Sequence, residues 1–231
     1  MRKAPQIAED VCTWLKESRF VNYSFISYPR VDRRVDDELR DFAIRIRNRL
    51  TAELDHAGAE NLIERVTGDN LPEVFMDERI PPGADWPDDL RRNLGGSVSM
   101  VAILTPSYFR RTHEWCGKEW SAMSMLGASR LRNTSTTAII PICYRLTDIP
   151  SEAGHAQAID LSSLTTSSRD YHKEPEFLNA VLDICHQIIQ IAIELRTRNS
   201  VSDLNGFSFP AHSPYVALQP PLIQAPPLRA V

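Results

Sequence analysis

The sequence predicts an α/β fold in which a central parallel sheet of about five strands is flanked by helices. Three observations support this prediction: strand-like and helix-like stretches alternate, the run 97–104 is almost continuously apolar, and a helical stripe extends over 175–197. Strands that are buried on both faces have such continuous apolar runs, and they are typical of parallel sheets. Alternating strands and helices favour parallel strands joined by right-handed crossovers.

The first half of the chain contains two predicted strands and three predicted helices. We assign helices where apolar residues recur every three or four positions, and strands where aromatic and β-branched residues cluster. Asp32 or Asp36 is placed to cap the longest of these helices, and Gly95 is placed to end the last of them. In chain order, the elements are a helix over 5–17, a strand over 20–28, a helix over 35–54, a strand over 72–77 and a short helix that includes Trp86, Leu90 and Leu94.

The second half contains the strongest strand and helix signals. Pro141 lies within a predicted strand, where it cannot donate a hydrogen bond to the sheet, so we expect this strand to lie at an edge or to end there. In chain order, the elements are a strand over 97–104, a helix over 115–127, a strand over 137–143, a weak strand near 156–161 and a helix over 175–197.

Composition and charge exclude several classes of protein. The chain has 42% hydrophobic residues, 24% charged residues and a formal net charge of −4. Wholesale disorder and a strongly basic face for nucleic acid are therefore not expected. There is no run of about 20 apolar residues and no signal-peptide pattern, so we expect neither a membrane span nor export. The four cysteines lack Cys-x-x-Cys spacing, which favours a cytoplasmic protein without a zinc site or a disulfide framework.

A chain of 231 residues allows one domain or a domain and a half. We expect residues 1–19 to form an N-terminal helix and lead-in, and residues 20–198 to form one α/β domain. Residues 199–231 contain six prolines and almost no charge. This composition predicts a Pro-rich tail or linker rather than a packed helix or a central strand.

The candidate functional residues follow the predicted strands, because ligands of parallel α/β sheets bind outside the carboxyl ends of the strands. Five short motifs stand at or after these ends. In chain order, they are Phe25-Ile-Ser-Tyr28, Phe75-Met-Asp77, the loop Pro81-Pro-Gly83 with Trp86, Thr105-Pro-Ser-Tyr108 after the buried strand, and Trp115-Cys-Gly-Lys-Glu119.

Together, these motifs resemble the Toll/interleukin-1 receptor (TIR) domain, in the order and on the kinds of element that are typical of that family. The resemblance covers about residues 20–197, and the spacing is similar to the bacterial branch. It implies a flavodoxin-like TIR fold, so that residues 20–198 would be the TIR domain. Pro29 is a mild departure, because the family often has a basic or small residue there.

The resemblance to the NAD-hydrolysing branch of the family implies cleavage of the nicotinamide–ribose bond of NAD, by hydrolysis or by cyclisation. Glu119 occupies the position of the essential glutamate, and Trp115 lies four residues earlier on the same side of a helix. Nicotinamide leaves as a neutral molecule, so one carboxylate that stabilises an oxocarbenium-like transition state is sufficient. NAD is expected as the substrate, and neither a cofactor nor a metal is expected.

The remaining predicted substrate contacts lie near the ends of the first two strands. Tyr28 is expected to stack or hydrogen-bond, and Arg30 is expected to neutralise the diphosphate of NAD. Asp32 matches an acidic position that is common in bacterial members, although it would serve equally as a helix cap. The other residues assigned to the substrate site are Phe75, Asp77, Arg79 and Trp115.

The resemblance also implies partners. The loop Glu78–Asp85 is expected to form TIR–TIR contacts that build a homo-oligomer or filament, with a sensor domain or protein as a further partner. The protein would then be an effector of prokaryotic anti-phage immunity that becomes active on assembly, with no nucleic acid or membrane as a direct partner. Two alternatives remain: a non-catalytic TIR module that only associates with other TIR domains, and an N-glycosidase of nucleosides or nucleotides with a deoxyribosyltransferase-like fold.

Overall fold

A five-stranded parallel sheet forms the centre of the structure, with the strand order β2-β1-β3-β4-β5. Every pair of neighbouring strands is parallel. This is the flavodoxin-like order, so the predicted fold class is confirmed. The strands are β1 (Asn22–Ser27), β2 (Glu73–Met76), β3 (Ser97–Leu104), β4 (Ile139–Cys143) and β5 (Ile159–Asp160).

The structure is a computed structural model of the whole chain. Within it, the placement of the chain is described for residues 14, 18–30, 37–59, 73–77, 86–132, 134–145, 149–151, 157–167, 170–202 and 207–215. The predicted helix over 5–17 therefore lies outside the described residues, except for Trp14. The predicted caps Asp32 and Asp36 also lie outside them.

Five helices cover the two faces of the sheet in the described part of the chain. The first and last helices contact each other on one face, and the second and third contact each other on the other face. Residues that the sequence predicted as helical stripes are buried in both layers, such as Phe42 and Ile184 in one layer and Leu90 in the other. The helices are α1 (Asp37–Ala59), α2 (Trp86–Gly95), α3 (Glu114–Arg130), α4 (Ser162–Ser167) and α5 (Pro175–Thr197).

The central strands β1 and β3 are buried over their whole length. All eight residues of β3 and all six residues of β1 are buried. Since helices lie on both faces of these strands, neither face meets water. β3 is therefore apolar without alternation from Met100 to Leu104, and the polar residues of β1, such as Ser24, are buried as well. Their carboxyl ends therefore lie side by side at one edge of a rigid sheet.

Pro141 lies inside β4, and its surroundings refine the prediction that its strand would be at an edge. β4 has neighbours on both sides, so it is not an edge strand. However, β5 is only two residues long and pairs with Ile142 and Cys143, whereas Pro141 pairs with Ala102 of β3. Pro141 thus occupies the part of β4 that has a recorded partner on one side alone, where the missing N–H group is tolerated.

Helix α5 is long and apolar enough to cross a membrane by length and composition, contrary to the expectation that no segment would be. Its apolar stripe nevertheless packs into the core, where Phe177, Val181, Ile188 and Leu195 are almost fully buried. The helix contacts α1 and β3. A buried helix of a water-soluble core passes the same test, so this is weak evidence for a membrane span.

Candidate active site

The candidate active site lies at the carboxyl ends of β1, β2 and β3. The chain leaves β1 for β2 on one side and returns to β3 on the other, so β1 and β3 flank the point where the strand order reverses. Such switch points form the ligand-binding crevices of open α/β sheets. Ser27 is the last residue of β1, Asp77 follows β2, and Tyr108 lies just beyond β3.

Glu119 projects from α3 into this region and is buried, with 5% of its surface exposed. The Ser27 hydroxyl donates a hydrogen bond to Glu119 Oε2 at 2.5 Å. The same Ser27 oxygen lies 2.6 Å from the hydroxyl of Tyr108. Three residues from β1, the β3–α3 connection and α3 therefore form one buried hydrogen-bonded cluster.

A tight turn after β3 brings Tyr108 into this cluster. The Tyr108 N–H donates to the carbonyl oxygen of Thr105 at 3.0 Å, and the hydroxyl groups of Thr105 and Ser107 lie 2.9 Å apart. The Tyr108 ring then packs edge-on against Phe109 and Trp120. The hydroxyl of Tyr108 is thereby held at a fixed position beside Ser27.

The protein environment makes Glu119 a weak acid. Burial raises the pKa of the Glu119 carboxyl group to about 8, and the charge of Asp77 acts in the same direction. The hydrogen bond from Ser27 and the charge of Arg30 act to lower this pKa. A buried carboxyl group whose pKa is strongly raised is a candidate for a functional role.

Arg30 and Asp77 form an ion pair at the rim of the site. The Arg30 side chain is 47% exposed, whereas the Asp77 side chain is 11% exposed. Tyr28, which is buried, also hydrogen-bonds to Arg30 through its hydroxyl group. The structure therefore brings Tyr28, Arg30 and Asp77 together, next to Glu119.

Comparison with known families decides the identity of this fold. A family profile described as TIR domain matches residues 25–174, which include Ser27, Tyr108 and Glu119. The chain belongs to the TIR domain family. The predicted recognition of a TIR domain is thus confirmed, and TIR domains generally associate through TIR–TIR contacts. No curated protein and no solved structure matches the chain.

Two of the other residues predicted to contact the substrate of this TIR domain, Phe75 and Trp115, are not part of the hydrogen-bonded cluster around Glu119. Phe75 is buried, and its ring stacks on Phe25 with centroids 5.6 Å apart, so it contributes to the core. Trp115 is partly buried and packs edge-on against Phe209, with the Lys118 ammonium 4.9 Å from its ring. Asp32, Arg79 and the loop 78–85 lie outside the described residues.

A C-terminal segment, residues 207–215, packs along α3 beside the candidate site; we call it the tail segment. Phe209 contacts Trp115, and Tyr215 contacts Phe109 with ring centroids 5.1 Å apart. The Ser213 N–H donates to Glu114 at 3.3 Å, near the first turn of α3. This part of the predicted Pro-rich tail therefore covers the TIR domain.

The close approach of the tail segment requires a glycine on α3. A Cβ atom on Gly117 would lie 2.9 Å from the Cβ atom of Ser213 and closer still to its hydroxyl oxygen. We expect Gly117→Ala to displace the tail segment and to lower the free energy of unfolding by about 1–3 kcal/mol, as overpacking does. Chemical denaturation, together with amide exchange over residues 207–215, measures both effects.

The double variant Gly117→Ala, Ser213→Gly serves as the control for this prediction. It removes both Ser213 atoms that the new methyl group would meet, so we expect it to recover most of the lost stability and amide protection. A Gly117→Ala protein as stable as the wild type would contradict the packing of this segment on α3.

Sequence reasoning missed two members of the buried cluster, Ser27 and Tyr108, although both stand in the quoted motifs. Cys116 is buried, and burial, with the nearby charge of Glu119, raises the pKa of its thiol well above the usual value. The thiol therefore stays protonated and is a poor nucleophile.

Proposed function

We propose that this TIR domain cleaves the nicotinamide–ribose bond of NAD, with Glu119 as its catalytic carboxylate. The observation that carries the proposal is the buried Glu119 at the switch point of the sheet, which accepts a hydrogen bond from Ser27 and lies near Arg30. The family position of Glu119, four residues after Trp115, supports the same assignment.

The chemistry needs one carboxylate. The C1′–N bond of the ribosyl pyridinium breaks, its electron pair stays on the nitrogen, and nicotinamide leaves as a neutral molecule. Positive charge develops on the ribose, and a carboxylate near C1′ and the ribose hydroxyl groups stabilises it. Water then adds at C1′ and loses a proton to give ADP-ribose, or a nucleophile within the substrate closes a ring.

The raised pKa of Glu119 gives this proposal a pH dependence. A carboxyl group with a pKa of about 8 is mostly protonated at neutral pH in the free protein. The cationic nicotinamide ring of NAD favours the charged carboxylate, so binding of NAD lowers this pKa. We therefore expect kcat/KM to rise with pH up to about 8, and kcat to level off at a lower pH.

The rim residues are assigned to the rest of the substrate. Arg30 is half exposed, so its guanidinium group is available to a diphosphate that competes with Asp77. Tyr28 would orient Arg30 through the hydrogen bond between them. The contacts proposed earlier for Asp32, Phe75, Arg79 and Trp115, and the loop 78–85 as the assembly surface, belong to the same hypothesis.

The biological setting is a further part of the proposal. An enzyme that consumes NAD harms its own cell, so its activity would depend on self-assembly. We propose a cytoplasmic effector of prokaryotic anti-phage immunity, which a sensor domain or protein activates. No cofactor or metal takes part, and NAD is the substrate.

Incubation of the purified chain with NAD tests the reaction. We expect the wild type to release nicotinamide, with a specific activity that increases with protein concentration. Glu119→Gln should lower the rate by about 100- to 1,000-fold, because it removes the charge that stabilises the transition state. Separation of the products by chromatography then distinguishes ADP-ribose from a cyclic product.

Glu176→Gln provides the matched control, since Glu176 is an exposed glutamate in the first turn of α5. It should leave nicotinamide release unchanged. Equal rates for the wild type and Glu119→Gln would remove Glu119 as the catalytic residue. Absence of release at every protein concentration would instead favour a TIR module that only associates with other TIR domains.

A further inference from the structure

The carboxylate of Glu119 lies at the end of a hydrogen-bonded chain that also contains the hydroxyl groups of Ser27 and Tyr108. Ser27 Oγ lies 2.5 Å from Glu119 Oε2 and 2.6 Å from the hydroxyl of Tyr108. We propose that Ser27 and Tyr108 are positioning residues that fix the orientation of the Glu119 carboxylate and stabilise its charged form. This inference rests on the proposed function, in which the charged carboxylate is the reactive form.

The donors and acceptors permit one arrangement when Glu119 is charged. A carboxylate only accepts hydrogen bonds, so Ser27 must donate its single proton to Glu119. Tyr108 must then donate to the Ser27 oxygen, which has two acceptor positions. The Cys116 thiol, which also lies close enough to hydrogen-bond with Ser27, has the second of these positions available to it.

The other charged and titratable groups around Glu119 do not replace Ser27. Asp77, which follows β2, opposes a negative charge on Glu119. Arg30, which follows β1, favours that charge, but it is half exposed and already paired with Asp77. On α3 and beyond β3, Cys116 and Tyr108 are buried with pKa values well above their usual range, so both are neutral donors.

Both positioning residues are held rigidly, as this role requires. Ser27 is 1% exposed and is the last residue of β1, which pairs with β3 along its length. Tyr108 is fully buried between aromatic rings, with its ring centroid 4.9 Å from that of Phe109 and 6.1 Å from that of Trp120. The Tyr108 ring therefore cannot move away from Ser27 without disturbing the core.

The pKa of Glu119, measured by carbon-13 NMR titration of the full chain without NAD, tests the inference. Hydrogen bonds to a charged group are strong, so we expect Ser27→Ala to raise this pKa by about one to two pH units. Tyr108→Phe should raise it by a smaller amount, because Ser27 can still donate. Ser24→Ala is the matched control, since Ser24 is also a buried serine of β1 but bonds to Ser99 instead.

The pH profile of nicotinamide release provides the second readout. Ser27→Ala should lose about tenfold of kcat/KM at pH 7 and approach the wild-type value at high pH, because its profile moves to higher pH. An unchanged Glu119 pKa in Ser27→Ala, or a loss of rate that is equal at every pH, would overturn the inference. If the wild type releases no nicotinamide, the proposed function fails, whereas the NMR titration still decides the role of Ser27.

Discussion

Glu119→Gln is expected to make the folded protein more stable at pH 8, by about 2–4 kcal/mol. The reason is the difference in the pKa of Glu119 between the two states, which is about 8 in the folded protein and 4.5 in the unfolded chain. Each pH unit of this difference corresponds to about 1.4 kcal/mol, and structural relaxation reduces the total. Glutamine keeps the shape of the side chain and carries no charge.

The direction of this effect with pH is fixed by proton binding. Between pH 4.5 and 8 the folded protein holds a proton on Glu119 that the unfolded chain has lost. The stability of the wild type therefore falls as the pH rises through this window, whereas Glu119→Gln has no such loss. Chemical denaturation at pH 5, 6.5 and 8 gives the free energy of unfolding of the wild type and of Glu119→Gln. The difference between the two proteins should be small at pH 5 and should increase towards pH 8.

Glu176→Gln again serves as the control, because an exposed glutamate should give the same difference at all three pH values. Parallel pH curves for the wild type and Glu119→Gln would show that Glu119 titrates normally. If Glu119→Gln both loses nicotinamide release and gains free energy of unfolding, Glu119 serves activity at the expense of stability.

Trp120→Ala is expected to lower the free energy of unfolding by about 3–5 kcal/mol. Trp120 is fully buried, and its ring packs edge-on against Phe109 with centroids 5.2 Å apart and also against Tyr108. The substitution leaves a large cavity directly behind Tyr108. We therefore also expect the Tyr108 hydroxyl to lose its fixed position and nicotinamide release to fall.

Trp115→Ala is the matched variant, since it makes the same change five residues earlier on α3. Trp115 is only partly buried, between Phe209 and Lys118. Chemical denaturation should show less than half of the loss caused by Trp120→Ala. Equal losses would contradict the difference in burial between the two tryptophans.

The elements and the candidate glutamate, Glu119, were predictable from the sequence because they depend on local patterns. β3 is almost continuously apolar, and the stripe of α5 repeats every three or four residues, so both elements lie where they were predicted. Glu119 follows Trp115 at a spacing that the TIR resemblance supplies. These signals require no knowledge of which strands are neighbours.

The roles of Ser27 and Tyr108 could not be predicted, because they depend on the packing of three elements. From the sequence alone, a serine at the end of a buried strand is interpreted as a small residue that fills space. Its partners become visible only when β1 lies next to β3 and Glu119 of α3 points towards Ser27. One signal was present: a hydroxyl group in a fully buried strand must find a partner. Ser24 and Ser99, which bond to each other, follow the same rule.

The packing of the tail segment on the domain could not be predicted from its composition. Prolines and a lack of charge indicated an extended stretch, which says nothing about what that stretch touches. The aromatic residues Phe207, Phe209 and Tyr215, spaced along it, were the available signal, since aromatic side chains gain most from burial.

The TIR profile match is shorter than the part of the chain that forms the core. The match ends at residue 174, but α5 supplies the stripe that covers α1 and β3. The tail segment in turn covers Phe109 and Trp115. A shortened chain that ended with the family match would expose adhesive apolar surface in water, so aggregation of such a fragment would say nothing about natural TIR–TIR assembly.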